Sequence, residues 1–88
     1  MSQVLQYATL RGWLVYHTHD SRRSAAGFPD LCMVRTGRLV FAELKRDRKA
    51  KATDEQAKWM AELKAVWGAV GVYLWTPDDW ELIEKVLQ

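Results

Sequence analysis

The 88-residue chain has one cysteine, Cys32. That excludes an internal disulfide and any site built on two cysteines of one chain. It has no run of about 18 apolar residues, so no membrane span is expected. Its opening residues, Met1-Ser2-Gln3-Val4-Leu5-Gln6, lack a basic segment followed by an apolar stretch. They are no secretory signal, and the cytoplasm is the expected compartment. There are no internal repeats and no low-complexity segments, and the length suits one domain spanning residues 1–88.

Hydrophobic residues make up 49% of the chain and charged residues 27%. That balance is close to the globular average and speaks against wholesale disorder. Five tryptophans are many for this length. Each buries a large surface, which helps a short chain build a core, and Trp67 and Trp80 are candidates for a dimer surface. The net charge of +2 hides an asymmetry. Residues 11–51 hold ten Lys/Arg and four Asp/Glu, whereas the rest hold three and seven. A basic half on a small domain points to a polyanion partner; a solvated charged surface is the plainer alternative.

The apolar pattern predicts the order α-β-β-β-α-β-α. Val4, Leu5 and Ala8 form one helical face, with Gly12 at the C′ position. Trp13–His17 reads as a strand, and residues 18–29 as a loop. Asp30–Arg35 and Arg38–Lys45 flank Thr36-Gly37 as a hairpin. Their apolar runs, Leu31–Val34 and Leu39–Ala42, suit strands buried on both faces. Thr53-Asp54-Glu55-Gln56 has the form of a capping box. The helix behind it carries Trp59, Met60, Leu63, Val66 and Trp67 on one face and ends at Gly68 or Gly71. Val72–Trp75 is a fourth strand. Thr76 caps a last helix with Pro77 at N1 and an Ile83, Val86 and Leu87 stripe. The β-α-β step from the third to the fourth strand implies a parallel pairing or a crossover. The fold class is therefore α/β, a mixed four-stranded sheet flanked by helices.

The hairpin carries the chemistry. A turn centred between Thr36 and Gly37 sets Asp30 opposite Glu43, with Cβ atoms about 4.5–5.5 Å apart. Glu43 and Lys45 share a face through the strand period of two. Opposed carboxylates repel, and a divalent cation between them removes the repulsion. Carboxylates, water and phosphate oxygens suit Mg²⁺. Lys45 beside them can hold a water or stabilise charge developing on a phosphate. The alternative is an exposed sheet end with a weak Glu43–Lys45 surface pair. Gln56 is open to two readings, a capping residue or a polar partner of the site. Ser21, Arg22 and Arg23, and after the hairpin Arg46, Arg48, Lys49 and Lys51, form two loops suited to phosphate contacts or to plain solvation. His17 and His19 alternate on one strand face. A zinc pair would need more ligands, and Cys32 lies inside an apolar strand, so zinc is not expected.

Gly27-Phe28-Pro29-Asp30, Glu43-Leu44-Lys45 and Gln56 together resemble the PD-(D/E)XK nuclease motif. More narrowly, they resemble the virus-type replication-repair nuclease (VRR-NUC) family, and the similarity runs from about Val4 to Trp75. The resemblance implies a restriction-endonuclease-like core and a stand-alone, phage-type nuclease. It implies a metal-dependent, structure-selective DNA endonuclease, a homodimer able to resolve Holliday junctions, using Mg²⁺ or Mn²⁺. It assigns the metal to Asp30, Glu43 and the Leu44 carbonyl, catalysis to Lys45, and support of the site to Gln56. One feature departs from the family. Its members often carry a glutamate on the first helix that reaches the metal, and that helix here offers only Gln3 and Gln6. A flap or branched-DNA nuclease and a non-catalytic nucleic-acid-binding module are the competing expectations.

Overall fold

The first helix, α1 (Ser2–Leu10), ends as the C′ glycine predicts. The Gly12 N–H bonds the Thr9 carbonyl at 3.1 Å and the Trp13 N–H bonds the Ala8 carbonyl at 3.0 Å. This is the paired closure of a Schellman motif, and it drives Trp13 and Ala8 together into the core. A computed structural model of the chain describes residues 2–18, 25–66, 68 and 70–88. Of the sequence-predicted residues, His19, Ser21, Arg22, Arg23 and Trp67 lie outside the described residues.

Four strands follow in one sheet: β1 (Leu14–His17), β2 (Leu31–Arg35), β3 (Arg38–Leu44) and β4 (Val70–Trp75), in the spatial order β1-β2-β3-β4. β1 pairs antiparallel with β2, and β2 with β3, in a register that includes Leu31 opposite Ala42 and Arg35 opposite Arg38. β3 and β4 run parallel, as the intervening α2 (Asp54–Lys64) requires. A single 3-10 turn (Pro77–Asp79) leads to α3 (Trp80–Leu87). The architecture is a mixed α/β sheet flanked by helices, in the predicted element order.

One sheet face carries Leu31, Met33, Val40, Ala42 and Trp75, all buried against Val4 and Ala8 of α1 and Ile83 and Leu87 of α3. Burial of each larger aliphatic chain there stabilises the fold by about 1.5–3 kcal/mol. The last carbonyls of α3 are tied down from the hairpin. Arg38 donates to the Val86 carbonyl at 2.8 Å and Arg35 to the Gln88 carbonyl at 2.7 Å, while both guanidinium groups stack on Trp13. Two cations of the basic segment thus neutralise a helix C-terminus.

Four local expectations are corrected. β4 begins at Val70, so Gly71 lies inside a strand, opposite Val40. α2 stops at Lys64, short of both glycines, because the Ala65 and Val66 amides tighten the last turn onto Glu62 and Leu63, and Val66 is exposed. Thr76 is an N-cap with Pro77 behind it, as expected, but of the 3-10 turn that leads into α3 and not of α3 itself; its N–H and hydroxyl both donate to Asp79 Oδ2. The strands are also not all buried on both faces. α2 covers β3 and β4, but the outer faces of β1 and β2 leave Leu14 76% and Tyr16 64% exposed, with Val34 beside them. A single helix about 10 Å wide, running along a β-α-β unit, covers about two strands spaced about 4.8 Å apart. Among the described residues, no helix is long and apolar enough to cross a membrane.

Candidate active site

The hairpin register brings Asp30 and Glu43 together at one end of the sheet. Asp30 follows a loop anchored on both sides. Thr18 donates its N–H to the Asp30 carbonyl and its hydroxyl to the Pro29 carbonyl, and Pro29 is fully buried. The Asp30 carboxylate reaches across the ladder, and its Oδ2 accepts the Leu44 N–H at 2.9 Å. Glu43 projects from β3 on the face covered by α2 and is only 4% exposed. Burial raises its pKa above the ordinary carboxylate value; the charge of Asp30 raises it further, and Lys45 pulls it back in part.

Gln56 is the hinge of the arrangement. Its Oε1 accepts both the Thr53 backbone N–H and the Lys45 ammonium, each at 2.9 Å. Its Nε2 donates to Glu43 Oε2 at 2.6 Å. The Thr53 hydroxyl accepts the Gln56 N–H at 3.1 Å and closes the capping box. The two sequence readings of Gln56 are therefore both realised by one amide, because its oxygen has two lone pairs and its nitrogen a free donor. Lys45 completes the cluster with Nζ 3.5 Å from Glu43 Oε2.

α2 is held in place by the loop before Asp30. Gly27, at φ +87°, packs so closely on the first turn of α2 that a Cβ would stand 2.4 Å from the Glu55 carbonyl carbon. Phe28 meets Phe41 and Trp59 edge to face, and the Trp59 indole donates to the Ala26 carbonyl. The motif glycine and aromatic thus act at a distance from the carboxylates, by setting where Gln56 stands.

One atom stands out. Glu43 Oε1 is buried and has no hydrogen-bond partner among the described residues. A buried carboxylate oxygen left bare costs free energy, and a cation supplies the missing interaction. With Asp30 adjacent, the donor set is all oxygen, which suits Mg²⁺ or Mn²⁺. Among the described residues there is no group of three or more His, Cys, Asp and Glu that could hold a metal. A cation here would complete its shell from carbonyl, water and substrate oxygens.

A solved structure described as a VRR_NUC domain has this fold. It superposes with a TM-score of 0.65 over 97% of this chain and 90% of its own, at 23% sequence identity. No protein-family model matches the sequence, and no curated protein matches it.

The remaining predicted residues divide by their surroundings. Arg46, Lys49 and Lys51 are exposed. Arg48 turns back instead, with its guanidinium 3.7 Å from Asp78 and 3.5 Å from Asp79. Asp47 Oδ1 accepts the Lys49 and Ala50 amides and shapes that loop. Trp80 is half-buried: it packs on the core and edge to face against Tyr7. The exposed apolar residues of β1 and β2 were not legible as such, because an alternating strand reads the same whether or not a helix covers its second face. Gln3 lines a small notch together with Leu44 and Lys45, whereas Gln6 lies farther along α1.

Proposed function

We propose that this chain is a divalent-metal-dependent nuclease that hydrolyses DNA phosphodiesters. The observation that carries the reading is the bare, buried Oε1 of Glu43 beside Asp30, set next to an ammonium group held by Gln56. Asp30, Glu43 and the Leu44 carbonyl would hold Mg²⁺ or Mn²⁺. When bound, the ion supplies Lewis acidity at the phosphate. Water adds its oxygen to phosphorus, the P–O bond to one sugar breaks, and the leaving oxygen takes up a proton. Lys45 keeps its charge aimed at the reacting phosphate, where it stabilises the negative charge that develops or holds the attacking water. Gln56 keeps Lys45 and Glu43 in place and stops the ammonium from collapsing fully onto the carboxylate. Arg46, Lys49 and Lys51 contact the DNA backbone, which favours recognition by shape over base sequence.

The likeness in fold to a VRR_NUC domain supports a nuclease, and the motif resemblance extends the proposal to branched DNA. A two-fold dimer would present two such sites to a symmetric four-way junction and allow paired cuts. The exposed apolar surface of Leu14, Tyr16 and Val34 is available for such an association. A second reading, a nucleic-acid-binding module without catalysis, is favoured by one observation: the described residues hold two carboxylates at the site and no third.

The test is cleavage of a labelled four-way junction, a flap, a duplex and a single strand, each with Mg²⁺, Mn²⁺ and chelator, beside Asp30→Ala and Lys45→Ala. Metal-dependent cutting that both substitutions abolish is expected. Symmetric junction cuts would establish a resolvase, and flap cutting alone would keep the chemistry and discard that role. Salt-sensitive binding with no cutting of any substrate would establish the binding module.

A further inference from the structure

The notch lined by Gln3, Leu44, Lys45, Trp75, Thr76 and Trp80 has a volume of about 70 Å³ and opens beside the candidate site, since Leu44 and Lys45 belong to both. It shares Gln3 and Trp80 with a wider, shallow trough of about 240 Å³ that continues over Gln6, Tyr7 and Leu10. Together they form a path from Lys45 outward between α1 and the start of α3. Its chemistry differs from that of the basic loops. Lys45 is the only cation among these lining residues, and its ammonium is held by Gln56. The walls are two half-buried aromatic rings, Tyr7 and Trp80, edge to face at 5.8 Å, and the exposed amides of Gln3 and Gln6. Trp75, 1% exposed, also lines the notch, and its buried indole N–H has no acceptor among the described residues.

We propose that this trough binds an unpaired nucleotide next to the scissile phosphate, its base lying against Trp80 and Tyr7. The inference rests on the nuclease reading for the location of that phosphate. A path without a row of cations does not track a phosphate backbone. Aromatic faces hold bases of any sequence by stacking, and glutamine amides meet base edges with both a donor and an acceptor. The neck, at about 70 Å³, is too small for a whole base, so the base stays in the outer trough. In an intact duplex each base is already stacked on both faces and cannot reach Trp80. The trough therefore selects branched or frayed DNA over plain duplex, and it does so through the base that the branch leaves unpaired.

The test uses flap and four-way-junction oligonucleotides with 2-aminopurine placed in turn at the nucleotides flanking the branch, mixed with wild-type protein in chelator so that no cutting occurs. Quenching at one position is expected. An abasic site there should weaken binding roughly five- to hundredfold, the range that loss of one base–aromatic stack produces. Tyr7→Leu and Trp80→Leu should remove the quenching while keeping apolar bulk against the core. Should either variant fail to fold, the abasic comparison with wild-type protein decides alone. No quenching at any position, or equal affinity for abasic and parent DNA, overturns the proposal. Quenching without cleavage when Mg²⁺ or Mn²⁺ is added would sink the nuclease reading and leave the base-binding trough standing.

Discussion

Replacing Gly27 by alanine tests whether the loop before Asp30 sets the position of Gln56. Two separable costs arise. The first is conformational: Gly27 sits at φ +87°, where an L-residue costs roughly 1–2 kcal/mol. The second is contact. The added Cβ would lie 2.4 Å from the Glu55 carbonyl carbon, 2.6 Å from its oxygen and 2.7 Å from the Gln56 nitrogen. Ordinary carbon contacts begin near 3.5 Å, so the first turn of α2 must retreat by about 1 Å. The two Gln56 side-chain bonds that leave α2, to Lys45 at 2.9 Å and Glu43 at 2.6 Å, would then exceed hydrogen-bonding range, while the capping bond to Thr53 moves with the turn. Losing the bond to buried Glu43 adds about 1.5–3 kcal/mol. Gly37→Ala supplies the control, because Gly37 has φ +74° and nothing within 4 Å of its would-be Cβ. It carries the conformational cost alone. At about 4–8 °C per kcal/mol for a chain of this size, Gly37→Ala should lower the Tm by about 4–16 °C and Gly27→Ala, with both costs, by about 10–40 °C. Thermal unfolding followed by circular dichroism measures both, and Mn²⁺ titration calorimetry should show weakened binding in Gly27→Ala only. If the two variants melt together, or if Gly27→Ala binds metal like wild type, the reasoning is wrong.

Further outcomes follow from the same geometry. Gln56→Leu should destabilise the protein by about 1–3 kcal/mol, since it removes half the capping box and leaves Glu43 Oε2 with Lys45 alone; a chemical-denaturation midpoint equal to wild type would refute it. The raised pKa of Glu43 means that folding takes up a proton, so its contribution to stability is present at low pH and is lost as pH rises through the folded-state pKa. In chelator, the stability advantage of Glu43→Gln over wild type should therefore widen from pH 5 to pH 7, and a narrowing gap in a Tm-against-pH series would reverse that sign. Joint replacement of Arg46, Lys49 and Lys51 by alanine should reduce the slope of log affinity against log salt by about 2–3 in DNA titrations, while Arg48→Ala, already paired with Asp78 and Asp79, should change it least.

Much of this site was legible before folding because its determinants are local. A two-residue turn sets hairpin register, and register alone puts Asp30 opposite Glu43. The capping box at Thr53–Gln56 and the glycine closure after α1 are likewise spacing rules of a few residues, and both are found as expected. The parallel β3–β4 pair is one of the two outcomes that the β-α-β step allows. What tertiary structure decided lies between segments distant in the chain. It turned Gln56 from a cap into the link between Lys45 and Glu43, left Glu43 Oε1 without a partner, and drew Gly27 onto α2. It committed Arg35 and Arg38 to the end of α3, although their charges had counted toward a polyanion partner. It also left the outer face of β1 and β2 bare and placed Gln3 beside Lys45. Periodicity reports which faces of an element are apolar. It does not report how far a neighbouring helix reaches, and burial, a bare lone pair or a trough between two helices exists only once those elements meet.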